Sequence, residues 1–177
     1  MDIHIKVQGK NQVISLDRLN TDKMLEDAKR RFEEAKNAAT DQLLQNTAAH
    51  NNEGIAYEKA GQEDEAIAIY ENNIADGYPA IHAFDRLMKI YRHRKKYRDE
   101  CRVIRRAIEI FTAENQRRAE RAITDEPTRQ KEISEALLSC RKVIGSHGFY
   151  CFVPYDVVAL RERLRKAEML SSKQGEK

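Results

Sequence analysis

The chain lacks tryptophan and is poor in residues that break secondary structure or form cross-links. Its 177 residues include seven glycines, three prolines and three cysteines. So few glycines and prolines exclude a many-turned β-sandwich. Three cysteines with no C-x-x-C pair argue against a disulfide framework. No apolar run approaches the roughly 20 residues of a membrane-spanning helix, and the N-terminus is unlike a secretory signal. We therefore expect a cytoplasmic protein that does not bind membranes.

The composition is typical of amphipathic surface helices. Hydrophobic residues make up 41% of the chain and charged residues 34%. The net charge of +3 is unevenly distributed, because residues 1–80 carry a balance of −6 and residues 81–177 a balance of +9. This asymmetry predicts either opposite electrostatic potentials in the two halves or the ordinary solvated surface of charged helices.

Residues 2–16 differ from the rest of the chain. Ile3, Ile5 and Val7 alternate with polar residues, and the turn signal Gly9-Lys10-Asn11 follows. This pattern predicts a β-hairpin. Because an isolated hairpin is marginal in water, we expect it to lie on the helical body or to pair through its edge with a second copy. The edge therefore predicts self-association as a homodimer.

Helical periodicity begins after the hairpin. Apolar residues at spacings of three and four form one stripe, which contains Leu25, Ala28, Phe32, Ala35 and Ala39. The sequence leaves open whether one helix or two cover residues 22–60, because Asn46 and Thr47 are weak helix formers.

The C-terminal part predicts two further helices and a flexible end. The first runs from about 128 to 144, and the second starts at Pro154-Tyr155-Asp156. Between them, residues 149–153 are short, apolar and aromatic. They predict an extended plug against the core, or a short strand that pairs with the N-terminal hairpin. Residues 171–177 are polar and predict a flexible tail.

A recurrence at 34 residues is the most informative pattern in the chain. Tyr57 and Tyr91 are separated by this interval, and each ends a helical segment. Residues 54–61 lead into Ala66–Tyr70, and Leu87–Tyr91 leads to Ile104–Ala107 one period later. A period of 34 residues is typical of a helix–turn–helix unit that must stack on a neighbour to bury its apolar face.

Residues 47–112 resemble the tetratricopeptide repeat family. The residues that fit its small, aromatic and aliphatic positions are Gly54, Tyr57, Ala66 and Tyr70 in the first unit and Leu87, Tyr91, Ile104 and Ala107 in the second. The resemblance implies a mainly α fold, a right-handed stack of antiparallel helix hairpins with the β-hairpin at its N-terminus. Residues 22–46 would cap one end and residues 113–170 the other, in a single domain spanning 1–177.

Four residues depart from the family pattern. Asn73 replaces an alanine, and Tyr78 stands where a proline is usual, with Pro79 one place later. Met88 replaces a glycine, and Glu100 occupies a small-residue position between packed helices. Because burying an unpaired carboxylate is costly, we expect a shift of one residue that places Cys101 there instead.

The resemblance also implies a binding surface. In this family the first helix of each unit lines a concave groove, and the corresponding residues here are Asn51, Asn52, Ile55, Glu58, Lys59, His82, Asp85, Arg86, Lys89, Arg92 and His93. Asparagine side chains hydrogen-bond extended peptide backbone. The cations Arg86, Lys89 and Arg92 suit ligand carboxylates.

No motif in the chain predicts catalysis, a cofactor or a metal. Phosphate-binding loops, dinucleotide fingerprints, H-E-x-x-H and G-x-S-x-G are all missing from the sequence. Cys140, His147 and Cys151 are close together, but they lack a fourth zinc ligand. We interpret them as core cysteines beside a loop histidine.

Two functions therefore remain as expectations. The first is a non-enzymatic adaptor that binds a peptide or a partner protein in the groove. The alternative is a protein associated with nucleic acids through its basic second half, where the run Arg92–Arg98 is followed by Arg102, Arg105 and Arg106. Clustered cations of this kind neutralise phosphates.

Overall fold

The computed structural model describes residues 2–7, 10–15 and 21–175, with side chains described over residues 23–174. Across these residues the chain is mainly α-helical, and no helix is long and apolar enough to cross a membrane. The chain divides into two compact units, Met1–Gln45 and Asn46–Lys177. The division falls inside a helix, one residue from the predicted start of the repeats.

The first unit contains two strands and the start of a helix. Strands β1 (Asp2–Val7) and β2 (Lys10–Ser15) are antiparallel, with Ile3 opposite Ile14. The predicted turn residue Gly9 and the side chains of the hairpin edge lie outside the described residues. Self-association through this edge therefore stays a prediction.

Helix α1 (Thr21–Lys59) is continuous, which answers the question of one helix or two. Asn46 and Thr47, despite their low helix propensity, lie within it. The predicted apolar stripe in the first half of α1 is exposed, with Leu25 at 55% and Phe32 at 68% of full exposure.

The second unit contains the main hydrophobic core. After α1 come α2 (Glu63–Ala75), α3 (Ile81–His93) and α4 (Tyr97–Asp125). Helix α3 packs against both α2 and α4. Apolar side chains spaced by three and four residues point into the shared interior, where the largest buried ones include Tyr70, Phe84, Leu87, Met88, Ile104 and Phe111. The rings of Phe84 and Phe111 meet edge to face, with centroids 5.2 Å apart.

The turns that follow α1 and α3 are equivalent. Gly61 and Lys95, 34 residues apart, both adopt the left-handed conformation, with φ of +74° and +57°. The same backbone bond closes each turn, Gln62 N to Tyr57 O and Lys96 N to Tyr91 O, both at 2.9 Å. This is the bond pattern of a helix C-terminus capped by a left-handed residue. The sequence period is therefore also a period of local structure.

The two tyrosines of the sequence period differ in burial. Tyr91 is buried, and its hydroxyl donates to Glu71 at 2.6 Å. Tyr57 is half-buried and packs against the same core. Both carbonyls accept the bond that closes the following turn, so the backbone positions correspond while the side-chain surroundings are not identical.

A smaller module of one short helix and two strands follows α4. Its structure differs from two of the predictions. The helix predicted over residues 128–144 is a 3-10 turn (Pro127–Arg129) and α5 (Gln130–Ser139), which ends because Cys140 is left-handed, with φ of +52°. Strands β3 (Val143–Ile144) and β4 (Tyr150–Phe152) then form an antiparallel pair in the C-terminal half.

The segment predicted as a plug or as a partner of the N-terminal hairpin contains β4, and β4 pairs with β3 instead. Phe152 fills the module's core while Phe149 is 81% exposed. The module has its own small core of Ala119, Ala122, Ile133, Ala136, Val143 and Phe152.

Tyr155 anchors the chain where it returns from this module to the main core. Its backbone N donates to Asn115 Oδ1 at 2.7 Å, and its carbonyl accepts from Asn115 Nδ2 at 2.9 Å. Its ring stacks on Phe111 and lies under the guanidinium of Arg118. Its hydroxyl donates to the carbonyl of Pro79, between α2 and α3.

Helix α6 (Val157–Gly175) completes the unit by packing along α4. Val157 and Ala167 are buried as expected, and Leu160 and Leu164 pack against the core. Helix α6 extends to Gly175, into the segment predicted from Ser171 as a flexible tail, and the flexibility of that segment stays a prediction. Residues 176–177 lie outside the described part of the chain.

Lys95 offers a test of the turn geometry. A non-glycine residue in the left-handed conformation costs about 1 kcal/mol, so Lys95→Gly should raise the free energy of unfolding by up to about 1 kcal/mol. The measurement is urea unfolding followed by circular dichroism. Lys95→Ala is the control, since it removes the charge but keeps the Cβ and should give no gain. Equal stability of the two variants would contradict a left-handed turn at this position.

Candidate interaction site

The eleven residues predicted for the groove all lie on α1 and α3, and they differ in accessibility. Four are exposed: Asn52, Lys59, Lys89 and His93. Seven are half-buried: Asn51, Ile55, Glu58, His82, Asp85, Arg86 and Arg92. The half-buried polar residues mostly contact other residues of the protein, and these contacts determine what a ligand can reach.

Glu58 and Arg86 join α1 to α3. Arg86 Nε donates to Glu58 Oε1 at 2.9 Å, and a second guanidinium nitrogen donates to the other carboxylate oxygen. Tyr70 on α2 donates its hydroxyl to the same carboxylate at 2.7 Å. A two-pronged bond of this kind is charge-assisted and directional. Arg86, predicted to hold a ligand carboxylate, is therefore engaged by the protein itself.

The contacts in this cluster shift the pKa values of Glu58 and Tyr70. The hydrogen bond from Arg86 is the main reason that the pKa of Glu58 lies below its ordinary value, against a partial burial that acts in the opposite direction. Burial, aided by the hydrogen bond to Glu58, raises the pKa of Tyr70. Near neutral pH the cluster is therefore a carboxylate with two donors.

Glu100 is the residue that sequence reasoning misjudged. It is fully buried in the small-residue position, and its backbone N bonds to Lys96 O as Ala66 N bonds to Gln62 O one period earlier. The predicted shift to Cys101 is wrong. Glu100 can stay there because its carboxylate is paired, accepting from Arg92 Nη2 at 2.9 Å and from Arg163 Nε at 3.3 Å.

Arg92 and Arg163 therefore have structural roles. Arg92 was predicted to face a ligand, but its guanidinium binds Glu100. Arg163, on α6, also lies 4.0 Å from Asp85, another predicted groove residue. No sequence signal marked Arg163, because it lies 63 residues from Glu100 and outside residues 47–112.

Asn73, the residue in place of an alanine, is buried and reaches α1. Its amide donates to Thr47 O at 3.2 Å and to Asn51 Oδ1 at 2.8 Å. Asn51, predicted to bind peptide backbone, is thus held by Asn73. Within residues 23–174, four buried side-chain atoms have no hydrogen-bond partner, namely Thr47 Oγ1, His50 Nδ1, Asn73 Oδ1 and His82 Nε2.

What remains accessible is a strip that we call the α1/α3 face, defined by Asn52, Ile55, Lys59, Lys89 and His93. Spacings of three and four residues place each set on one side of its helix. Lys89 forms an ion pair with Asp85 at 2.7 Å between Nζ and Oδ2, which is an exposed contact of small energetic weight. The face is thus polar and cationic with one aliphatic side chain.

Most arginines of the basic run Arg92–Arg98, and those that follow it in α4 as far as Arg106, are paired with carboxylates of the protein. In each case a guanidinium lies within ion-pair distance of an acidic side chain: Arg94 with Glu63 and Asp64, Arg102 with Glu71, Arg105 with Glu168, and Arg106 with Glu109. Among the lysines and arginines of the run, all of them within the described residues, Lys95, Lys96 and Arg98 have no ion pair. This pairing weakens the case for a phosphate-binding patch.

Cys151, which the sequence groups with Cys140 and His147, is partly buried against the core of the small module. Cys151 Sγ lies 3.6 Å from Val143 O, and burial raises the pKa of the Cys151 thiol. A thiol with a raised pKa is a poor nucleophile and a poor ligand at neutral pH. Among residues with described side chains, no three histidine, cysteine or acidic residues are grouped to hold a metal.

The buried ion pairs of Glu100 make a stability prediction. Glu100→Gln leaves two guanidiniums facing a neutral amide. Because both guanidiniums are partly exposed to solvent, we expect a loss of about 2 kcal/mol. Urea unfolding should show that loss while the helical signal at zero urea is retained. Glu109→Gln is the matched control, because Glu109 lies on the same helix and its pair with Arg106 is exposed. Equal losses in both variants would contradict a special role for Glu100.

Glu58 predicts a pH dependence of stability. Folding lowers the pKa of Glu58 below its ordinary value of 4.5, so its ion pair stabilises the fold above that pH, and the contribution disappears as pH falls through the folded-state pKa. Wild type should therefore exceed Glu58→Gln in stability at pH 7, and the difference should shrink as the pH is lowered below 4.5. Urea unfolding of both proteins across a pH series measures this difference in the free energy of unfolding. A difference that does not change with pH would refute the lowered pKa of Glu58.

Comparison with known proteins adds no identification. No family model matches the chain, and neither the curated proteins nor the solved structures contain a significant match to it.

Proposed function

We propose that residues 47–112 form two helix-hairpin units of the tetratricopeptide type, and that the protein is a cytoplasmic, non-enzymatic adaptor. On this proposal the α1/α3 face binds a peptide or a partner protein. The observation that carries the proposal is the equivalence of the turns at Gly61 and Lys95, since it shows the same helix-to-helix connection at an interval of 34 residues.

Contacts between alternate helices support the stacked arrangement. Arg86 of α3 bonds Glu58 of α1, and Arg163 of α6 approaches Asp85 of α3. Helix α6 also packs along α4 as α3 packs against α2. In this proposal α6 caps the stack, and the module between α4 and α6 is an insertion. A terminal cap is what a short solenoid requires for solubility.

The choice of a polypeptide ligand follows from what the α1/α3 face presents. Asn52 offers both a donor and an acceptor to extended backbone. Lys59, Lys89 and His93 suit acidic ligand groups, and Ile55 supplies an apolar contact. The arginines that would favour nucleic acid are mostly held by acidic side chains of the protein, so their charge is locally compensated.

Site-specific crosslinking tests the proposal. A photoreactive amino acid placed at Asn52 or His93 should give discrete adducts with polypeptides when the purified protein is irradiated in a lysate of the source cells. The same group at Lys131, exposed on α5, is the positional control. Adducts shared by Asn52 and His93 but missing at Lys131 would place a ligand on the α1/α3 face.

Charge reversal supplies the second arm of this experiment. Lys89→Glu should reduce the shared adducts at least several-fold, whereas Lys131→Glu should leave them unchanged. Lys89 is exposed and its only ion pair is the surface contact with Asp85, so helicity should be unaffected. Adducts that persist at full yield in Lys89→Glu, or that arise equally from Lys131, would overturn the assignment of the face.

A further inference from the structure

The first half of α1 exposes an apolar stripe whose spacing is that of a coiled-coil seam. Leu25, Ala28, Phe32, Ala35 and Ala39 follow each other at intervals of three and four, as heptad positions a and d do. All five are exposed, and Phe32 reaches 68% of full exposure. Helices in water gain most of their stability by packing an apolar face, so a run of this length without such packing indicates a docking surface.

Three of the residues beside the stripe are basic, and they lie on both sides of it. Lys29 and Lys36 follow the stripe alanines on one side, and Arg31 precedes Phe32 on the other. These are the flanking positions e and g of the heptad, which determine partner choice in coiled coils. Glu26 and Glu34 lie on the opposite side of the helix by the 3.6-residue period. Glu33 forms an exposed ion pair with Lys36, at 3.4 Å between Nζ and Oε2, which is a contact of small energetic weight that a partner carboxylate can replace.

The flanking charges disfavour a second copy of α1 as the occupant. In a parallel pair, position g of one helix faces position e of the other, so Arg31 would meet Lys36. In an antiparallel pair, e faces e, so Lys29 or Lys36 would again meet a lysine. Like charges held against each other in this way are destabilising.

We propose that the α1 stripe, defined as Leu25, Ala28, Phe32, Ala35 and Ala39, is a docking site for an amphipathic helix of another protein that carries acidic residues at its flanking positions. Apolar side chains of the partner cover Leu25 and Phe32, while its carboxylates pair with Lys29, Arg31 and Lys36. The three alanines leave room for large partner residues. This site is separate from the α1/α3 face and does not depend on the function proposed for it.

Two designed peptides provide the probe. Each has four heptads with leucine at a and d; one carries glutamate and the other lysine at e and g. Fluorescence anisotropy of labelled peptide titrated with the full chain should show binding of the acidic peptide at least tenfold tighter than that of the basic one. Raising the ionic strength should reduce the difference in affinity between the two peptides, because the flanking ion pairs are exposed to solvent and are screened by salt.

Variants separate the charge contribution from the apolar one. The triple variant Lys29→Glu, Arg31→Glu, Lys36→Glu should reverse the preference and bind the basic peptide. Phe32→Ser should weaken binding of both peptides. Glu26→Lys with Glu34→Lys is the matched control on the opposite side of α1 and should keep the wild-type preference, as should Lys89→Glu on the α1/α3 face.

Three results would overturn the proposal. Equal affinity of wild type for the two peptides would show that charge does not select the partner, and no binding of either would show that the stripe is not a docking site. The third is sedimentation equilibrium showing a wild-type dimer that Phe32→Ser dissociates, because the occupant would then be a second copy of this chain.

Discussion

A carboxylate enclosed between three helices imposes the strongest constraint on the second unit. Glu100 on α4 is fully buried and is neutralised by Arg92 from α3 and Arg163 from α6. Because an uncompensated buried charge costs several kcal/mol, α6 cannot leave its position without exposing or stranding this group. One side chain thus couples the register of α3, α4 and α6.

Ion pairs within the protein also determine which residues of the candidate site a ligand can reach. Arg86 is held by Glu58, and Arg102 by Glu71, which also accepts the hydroxyl of Tyr91. Arginines that looked like ligand-binding groups in the sequence are therefore part of the framework. The α1/α3 face consists of what that framework leaves free, which is why it is smaller and less cationic than the predicted groove.

The two parts of α1 have different surroundings although their apolar patterns are alike. In the second unit, Gly54 is buried and packs against the ring of Tyr70. The two are so close that a Cβ at position 54 would collide with the ring. In the first half, Phe32 and Leu25 are exposed. A 3-4 pattern predicts that a helix has an apolar face, but it does not predict whether the same chain provides the covering surface.

The sequence by itself determined the helical class, the 34-residue period and the turns that mark it, since helix periodicity and left-handed caps are local properties of the chain. It also placed α2 and α3 and the buried residues Val157 and Ala167 of α6. The end of α5 at Ser139 and the β3–β4 pair were missed, because the pairing of Val143 with Phe152 is a contact between separate segments. Only the tertiary structure decided that Glu100 is buried and which cations remain free. Arg163 reaches it across 63 residues of sequence, and the stability of a buried charge depends on partners that no local pattern reveals.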